Sequence, residues 1–101
     1  MKKVDFSKIV VNDIEGKPYT TTKKIGNEIV TEKYDFAKEL GNAMFYGGKE
    51  LRITELGQQI YHKKPVELSD SDIASIREFI NNGFVPFVLL SVNPQLEKLF
   101  A

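Results

Sequence analysis

Short β-favouring stretches, separated by turn residues, fill the first third of the chain. Residues 9–11 form a β-branched run, and a turn cluster at residues 15–18 separates it from a threonine-rich stretch. Gly26-Asn27 marks a second turn before another β-branched stretch. The pattern predicts a three-stranded antiparallel meander, with strands near residues 8–14, 18–24 and 28–34.

The middle strand of this meander has little to bury. Thr20, Thr21 and Thr22 follow one another in it, so one of its faces must be solvated or covered by another chain. Because small β-sheets are marginal in water on their own, we expect the helices that follow to supply an apolar partner.

From Asp35 the spacing of apolar residues becomes helical. Asp35 is placed as the N-cap of a first helix that ends at Gly47-Gly48. A second helix is predicted to begin at Thr54 and to end at Lys63-Lys64-Pro65, where the lysines form a cationic last turn and the proline stops the helix. Their apolar faces comprise Phe36, Leu40, Ala43 and Met44 in the first helix and Leu56, Ile60 and Tyr61 in the second.

The third helix has the clearest signal in the sequence. Ser69 supplies a capping oxygen, Asp70 and Asp72 lie at the positive end of the helix dipole, and Asn82-Gly83 ends the apolar repeat. Beyond it, Pro86 suits the first turn of a short apolar helix, and Asn93-Pro94 predicts the start of a separate last turn.

This order of elements predicts an α+β fold, in which an N-terminal three-stranded antiparallel meander is followed by three to four short helices. With 101 residues, the chain has the usual size of one domain, and we expect residues 1–101 to form a single domain.

Charge and cysteine content narrow the possible functions. Fourteen Lys and Arg balance fourteen Asp and Glu, and the absence of Cys excludes disulfides, thiolate metal sites and a cysteine nucleophile. No signal-peptide core follows the N-terminal lysines, and the longest apolar run, residues 84–90, is far shorter than the roughly 20 residues that span a bilayer. We expect a cytoplasmic protein without membrane contact.

The candidates for catalysis and metal binding are few. His62 is the only histidine, and its place beside two lysines at a helix end favours contact with terminal carbonyls over general-base chemistry. Tyr34, Tyr46 and Tyr61 are the other possible proton donors or acceptors, and no catalytic pattern unites them. We therefore expect no enzyme, no catalytic residue and no cofactor.

The densest acidic cluster comprises Glu67, Asp70 and Asp72. It resembles a calcium loop only in its opening spacing, since the required glycine and closing glutamate are missing. We interpret these acids as helix-start residues and expect no metal site.

The glycines form no phosphate-binding pattern. Gly41 and Gly57 lie inside predicted helices, where a missing side chain lets another element approach closely. We favour close contact between the helices over simple tolerance of glycine.

Two surfaces are candidates for binding macromolecules. The first is the lysine-rich hairpin with Lys17, Lys23, Lys24 and Lys33, which would contact nucleic acid; acids in the same strands favour a solvated edge instead. The second is the apolar C-terminal segment, which either covers the core or faces a partner. Its candidate interface residues are Phe84, Phe87, Val88, Leu90, Leu96, Leu99 and Phe100.

Several short motifs are similar to those of small uncharacterised proteins of bacterial prophages and mobile elements. They are Asp5-Phe6 before the β-branched run, Glu15-Gly16, Glu39-Leu40-Gly41-Asn42, Leu56-Gly57 with Ile60-Tyr61, and Val66-Glu67-Leu68 before a helix. The resemblance implies a cytoplasmic bacterial or phage setting and a non-enzymatic role in assembly.

The sequence thus predicts a non-enzymatic protein-interaction or assembly module that associates with itself, with a homodimer as the expected form. The alternative is a nucleic-acid-binding protein that uses the lysine-rich hairpin.

Overall fold

Four helices and two separate two-stranded sheets make up the fold, in a computed structural model that describes residues 1–101. The predicted α+β class is confirmed. In chain order the elements are β1 (Lys2–Val4), a 3-10 helix (Phe6–Lys8), β2 (Thr20–Ile25), β3 (Glu28–Lys33), α1 (Phe36–Gly47), α2 (Leu51–Tyr61), β4 (Val66–Leu68), α3 (Asp70–Gly83) and α4 (Pro86–Leu99).

The predicted three-stranded meander is wrong, because the strands are divided between two sheets. β1 pairs antiparallel with β4, with Lys2 opposite Leu68 and Val4 opposite Val66. Each of these strands is three residues long. They are joined only by tertiary contacts across more than half of the chain, so no local pattern marks them.

The first strand of the predicted meander, near residues 8–14, does not form. Pairing in this region is confined to residues 11–13: Asn12 bridges Pro18, the N–H of Tyr19 donates to the Val11 carbonyl at 2.8 Å, and the N–H of Asp13 donates to the Lys17 carbonyl at 2.7 Å. The side chain of Gln95 in α4 accepts the N–H of Val10 at 3.0 Å and donates to its carbonyl at 2.6 Å. The N–H of Asn12 donates to the hydroxyl of Ser91 in α4 at 3.0 Å. Because the backbone groups of Val11 and Asp13 face residues 17–19, those of Val10 and Asn12 face the opposite way, and α4 binds this outer edge of the segment.

The second and third predicted strands form the expected hairpin. β2 and β3 are antiparallel, with Thr20 opposite Lys33 at one end and Ile25 opposite Glu28 at the other. The connection is Gly26-Asn27, and Gly26 has a φ of +61°. A positive φ at the first position of a two-residue turn suits glycine and matches the twist of a hairpin.

The caps of two helices confirm the sequence prediction. The Asp35 carboxylate accepts the N–H of Lys38 at 3.2 Å at the start of α1. Ser69 and Asp72 form a reciprocal capping box at the start of α3. α2 begins at Leu51, before the predicted Thr54 cap, and the Thr54 hydroxyl instead donates to the Glu50 carbonyl at 3.2 Å.

The C-terminal segment is one helix, where the sequence predicted two. α4 continues through Asn93-Pro94, with Pro94 inside it. A proline within a helix frees the carbonyl four residues earlier, here that of Leu90. Both Leu90 and Pro94 are on the exposed side of α4, so water can hydrate the freed carbonyl.

Eighteen buried hydrophobic residues form one core cluster between the helices and the β1–β4 sheet. Leu40 and Met44 of α1, Ile76 and Ile80 of α3 and Val92 of α4 have no exposed surface. α1 and α2 pack against each other at Gly41 and Gly57, which confirms the predicted close helix contact.

The β2–β3 hairpin lies outside this core. Val30 is its only residue that is even partly buried. The principal extents of the molecule are 45 × 29 × 22 Å and its radius of gyration is 14.1 Å, compared with about 13 Å for a compact chain of this size. None of the four helices combines the length and apolar character needed to cross a membrane.

Candidate functional site

The register of the hairpin sorts its side chains onto two faces. Residues directly opposite each other share a face, and successive residues alternate between faces. The ladder continues past the strands, since the N–H of Tyr34 donates to the carbonyl of Tyr19 at 2.9 Å. We name the two surfaces the tyrosine face, with Tyr19, Thr21, Lys23, Ile25, Glu28, Val30, Glu32 and Tyr34, and the lysine face, with Thr20, Thr22, Lys24, Ile29, Thr31 and Lys33.

The tyrosine face is continuous with α4 at the base of the hairpin. The rings of Tyr19 and Tyr34 are 5.7 Å apart, and the ring of Phe87 meets Tyr19 edge-on at 5.1 Å. Phe87 is 44% exposed, and Leu90, one turn along α4, is 80% exposed. Aromatic side chains of α4 and of the hairpin base therefore meet at one end of this face, and Thr21 and Glu32 separate them from Val30 and Ile25.

The side chain of Tyr34 is partly buried against the core at the base of the hairpin. Burial of its hydroxyl, with smaller effects from Glu39 and Tyr19, raises the pKa of Tyr34 to about 12. The phenol is therefore protonated at neutral pH and serves as a neutral packing group, not as a proton acceptor.

Charge on the tyrosine face is mixed and free of internal ion pairs. Lys23 lies on β2 opposite Val30, and Glu28 and Glu32 lie on either side of Val30 along β3. None of these three charged residues belongs to the four ion pairs of the chain. Their charges are available to a partner.

The lysine face has a different character. Lys24 and Lys33 project from it among threonines, and no acid shares this face. The structure therefore divides the four lysines predicted for nucleic acid. Lys23 lies on the opposite face, and Lys17 lies in the preceding turn, 3.8 Å from the Glu15 carboxylate.

The apolar C-terminal residues are also divided. Val88 and Leu96 are buried in the core of the chain itself, so they are unavailable to a partner. Phe84, Leu99 and Phe100 are partly buried against that core. Only Phe87 and Leu90 remain exposed among the seven predicted interface residues. The four-residue spacing from Val88 through Val92 to Leu96 is the sequence signal that separates the core side of α4.

Three of the four side chains considered for proton transfer lie together. Tyr46, Tyr61 and His62 line a shallow cleft of about 240 Å³ between α1 and α2, whereas Tyr34 lies at the hairpin base. No carboxylate lines the cleft, and the N–H of His62 donates to the Gln58 carbonyl at 3.3 Å as the C-cap of α2.

The acids considered for a metal are used in the fold. The Asp72 carboxylate accepts hydrogen bonds from Arg52 and from the N–H of Ser69, each at 3.0 Å. The Arg52 hydrogen bond lowers the pKa of Asp72, and the bonds with Ser69 lower it further. No group of three or more His, Asp and Glu side chains is arranged to hold a metal ion.

The tyrosine face, with Phe87 and Leu90 beside it, therefore combines exposure, apolar area and unpaired charge in one surface. Sequence analysis missed it because Lys23 and Lys24 are adjacent in the chain, and only the strand register assigns them to opposite faces. The chain matches no protein-family model, no curated protein and no solved structure.

Proposed function

We propose that the protein is a non-enzymatic interaction and assembly module that forms a homodimer through its β2–β3 hairpin. The observation that carries the proposal is that this hairpin projects from the core with both faces and both outer edges uncovered. A two-stranded hairpin is marginal in water on its own, so a partner surface stabilises it.

Exposed apolar groups support the same proposal. Ile25 and Ile29 at the tip are 55% and 74% exposed, and Phe87 and Leu90 flank the base. Removing such a side chain from water contributes about 1.5–3 kcal/mol when its burial is complete.

A role in assembly agrees with the setting that the sequence resemblance implies, a bacterial or phage cytoplasm. No carboxylate lines the cleft beside His62, so its imidazole lacks the partner that would orient it as a general base, and we favour binding over catalysis.

Light scattering on a sizing column tests the proposal with a shortened hairpin. In this variant residues 22–31 are replaced by Asn-Gly, so that Thr21 and Glu32 close a two-residue turn. We expect the unmodified chain to approach twice its 11.5 kDa mass at high micromolar concentration and the shortened chain to stay monomeric.

The matched control is Leu51→Gln, which removes an exposed apolar side chain from α2, outside the hairpin. This variant should dimerise like the unmodified chain. If the shortened chain associates to the same extent as the unmodified chain at every concentration, a dimer built on the hairpin is contradicted.

Nucleic-acid binding is the second candidate, and the lysine face favours it. Lys24 and Lys33 lie on that face without a neighbouring acid. Fluorescence anisotropy with random duplex at about 50 mM salt, where electrostatic affinity is high, tests the candidate. Binding that the Lys24→Glu, Lys33→Glu double variant abolishes would support it, and no change in anisotropy would eliminate it.

A further inference from the structure

We infer that the tyrosine face is the surface through which two copies of the chain meet, with the hairpins packed face to face about a two-fold axis parallel to their strands. The inference rests on the proposed self-association and specifies its geometry.

Charge distinguishes the two faces of the hairpin as self-binding surfaces. The lysine face bears Lys24 and Lys33 and no acid, so two copies would oppose four ammonium groups without a carboxylate. The tyrosine face carries Lys23 together with Glu28 and Glu32, so each copy presents both signs to the other. Of the two faces, only the tyrosine face is electrostatically complementary to itself.

The register defines how these charges meet. A two-fold axis parallel to the strands places β2 of one copy opposite β3 of the other. At the level of the Lys23 and Val30 pair, Lys23 of one copy then faces Val30 of the other. Glu28 and Glu32 lie two residues to either side, roughly 7 Å away along the strand, within reach of a lysine side chain. The symmetry makes this contact twice.

The same charges disfavour a perpendicular axis through this pair. A two-fold axis that runs across the strands, centred on the same pair, places each strand opposite its own copy. Lys23 then faces Lys23, and this like-charge contact is unfavourable.

The apolar groups of the tyrosine face fill the space between the hairpins. Packed sheets lie about 10 Å apart, so side chains from both copies interdigitate. Val30 and Ile25 occupy the middle and tip, whereas the rings of Tyr19 and Tyr34 at the base pack against the core of their own chain and border the interface there.

Two adjacent lysines provide a matched test. Lys23→Glu and Lys24→Glu change the total charge equally, but Lys23→Glu leaves the tyrosine face with acids only, whereas Lys24→Glu leaves that face unchanged. By sedimentation equilibrium we expect Lys23→Glu to raise the dimer dissociation constant about tenfold or more and Lys24→Glu to leave it within about twofold. Mixing Lys23→Glu with a Glu28→Lys, Glu32→Lys chain should restore a dimer.

Adjacent threonines provide a second test that is independent of charge. The chain has no Cys, so Thr21→Cys on the tyrosine face and Thr22→Cys on the lysine face each introduce a single thiol at an exposed position. At concentrations where the chain is dimeric, alkylation of the thiol at position 21 should slow several-fold relative to dilute protein. The thiol at position 22 should react at one rate throughout.

These outcomes separate the inference from the proposed function. A dimer in which both lysine variants weaken association equally, or in which both thiols are equally protected, overturns the tyrosine face and keeps self-association. A chain that stays monomeric throughout overturns both.

Discussion

Gly41 of α1 lies directly against the backbone of α2 at Gly57. A Cβ atom at position 41 would lie 2.7 Å from the carbonyl oxygen of Gly57 and 2.6 Å from the backbone nitrogen of Tyr61. A Cβ atom at position 57 would lie 2.7 Å from the backbone nitrogen of Phe45. Both glycines are needed for this close approach of α1 and α2. The contact also fixes the position of α1, which begins three residues after the end of the hairpin.

Replacing either glycine with alanine should separate the helices. Because the clashing atoms belong to the backbone, we expect Gly41→Ala to lower the free energy of unfolding by about 1–3 kcal/mol or more. Urea denaturation measures the change. Gly83→Ala is the control, since a Cβ there meets nothing within 4 Å; a loss as large as that of Gly41→Ala would contradict the explanation.

Gln95→Ala should loosen the extended segment from α4. The change removes two hydrogen bonds to the backbone of Val10, each with a net contribution of about 0.5–1.5 kcal/mol. We expect a matching loss of stability and faster hydrogen exchange at the Val10 amide. Lys98→Ala, at an exposed position of the same helix, should leave both unchanged, and unaltered exchange in the Gln95→Ala variant would refute the contact.

Asp72→Asn should change how stability depends on pH. The hydrogen bond from Arg52 lowers the pKa of Asp72 in the folded state. The ionised carboxylate therefore stabilises the fold above its unfolded pKa of about 3.9, and this contribution is lost as the pH falls through the lower folded pKa. We expect the variant to be about 1–2 kcal/mol less stable at pH 7 and the difference to shrink in acid.

Urea denaturation from neutral pH into acid checks this difference. Asp70→Asn is the comparison, because Asp70 is exposed and forms no ion pair; its loss should be confined to the helix-dipole effect of about 0.3–1 kcal/mol. A constant gap between wild type and Asp72→Asn down to the lowest pH would show that the carboxylate charge has no role.

Tyr34 should ionise late in an alkaline titration. Burial raises its pKa to about 12, so folding favours the neutral phenol and this contribution is lost as the pH rises from about 10 through the folded value. Tyrosinate absorbance of the native chain should contain a component near pH 12 that Tyr34→Phe lacks. If the component that Tyr34→Phe removes instead titrates at about pH 10, the buried position of this hydroxyl is contradicted.

Local signals account for the elements that the sequence predicts correctly. The caps at Asp35 and Ser69 and the turn at Gly26-Asn27 each depend on residues within four positions of one another. The helix contact at Gly41 and Gly57 could also be predicted, because a glycine inside a helix needs a reason in packing.

The elements that the sequence predicts wrongly depend instead on contacts between residues far apart in the chain. β1 forms only because β4 returns to it from beyond α2. The strand predicted near residues 8–14 pairs with residues 17–19 only over residues 11–13, and Gln95 and Ser91, about 80 residues later, bind the opposite edge of its backbone. Asn93-Pro94 has the local signature of a helix start, and the exposed side of α4 tolerates it within a helix.

The candidate site was predictable in its composition but not in its geometry. The threonine-rich strand already indicated a face to be solvated or covered by another chain. Which lysines share a face, and which apolar residues of α4 are exposed, follows only from the strand register and from the packing of Val88 and Leu96 into the core.

Sedimentation equilibrium of the unmodified chain tests the central claim most directly. Over a range from about 1 μM, where weak dimers dissociate, to several hundred micromolar, we predict that the weight-average mass rises from 11.5 kDa toward twice that value. A mass that stays at 11.5 kDa across the whole range would contradict self-association and, with it, the role assigned to the hairpin.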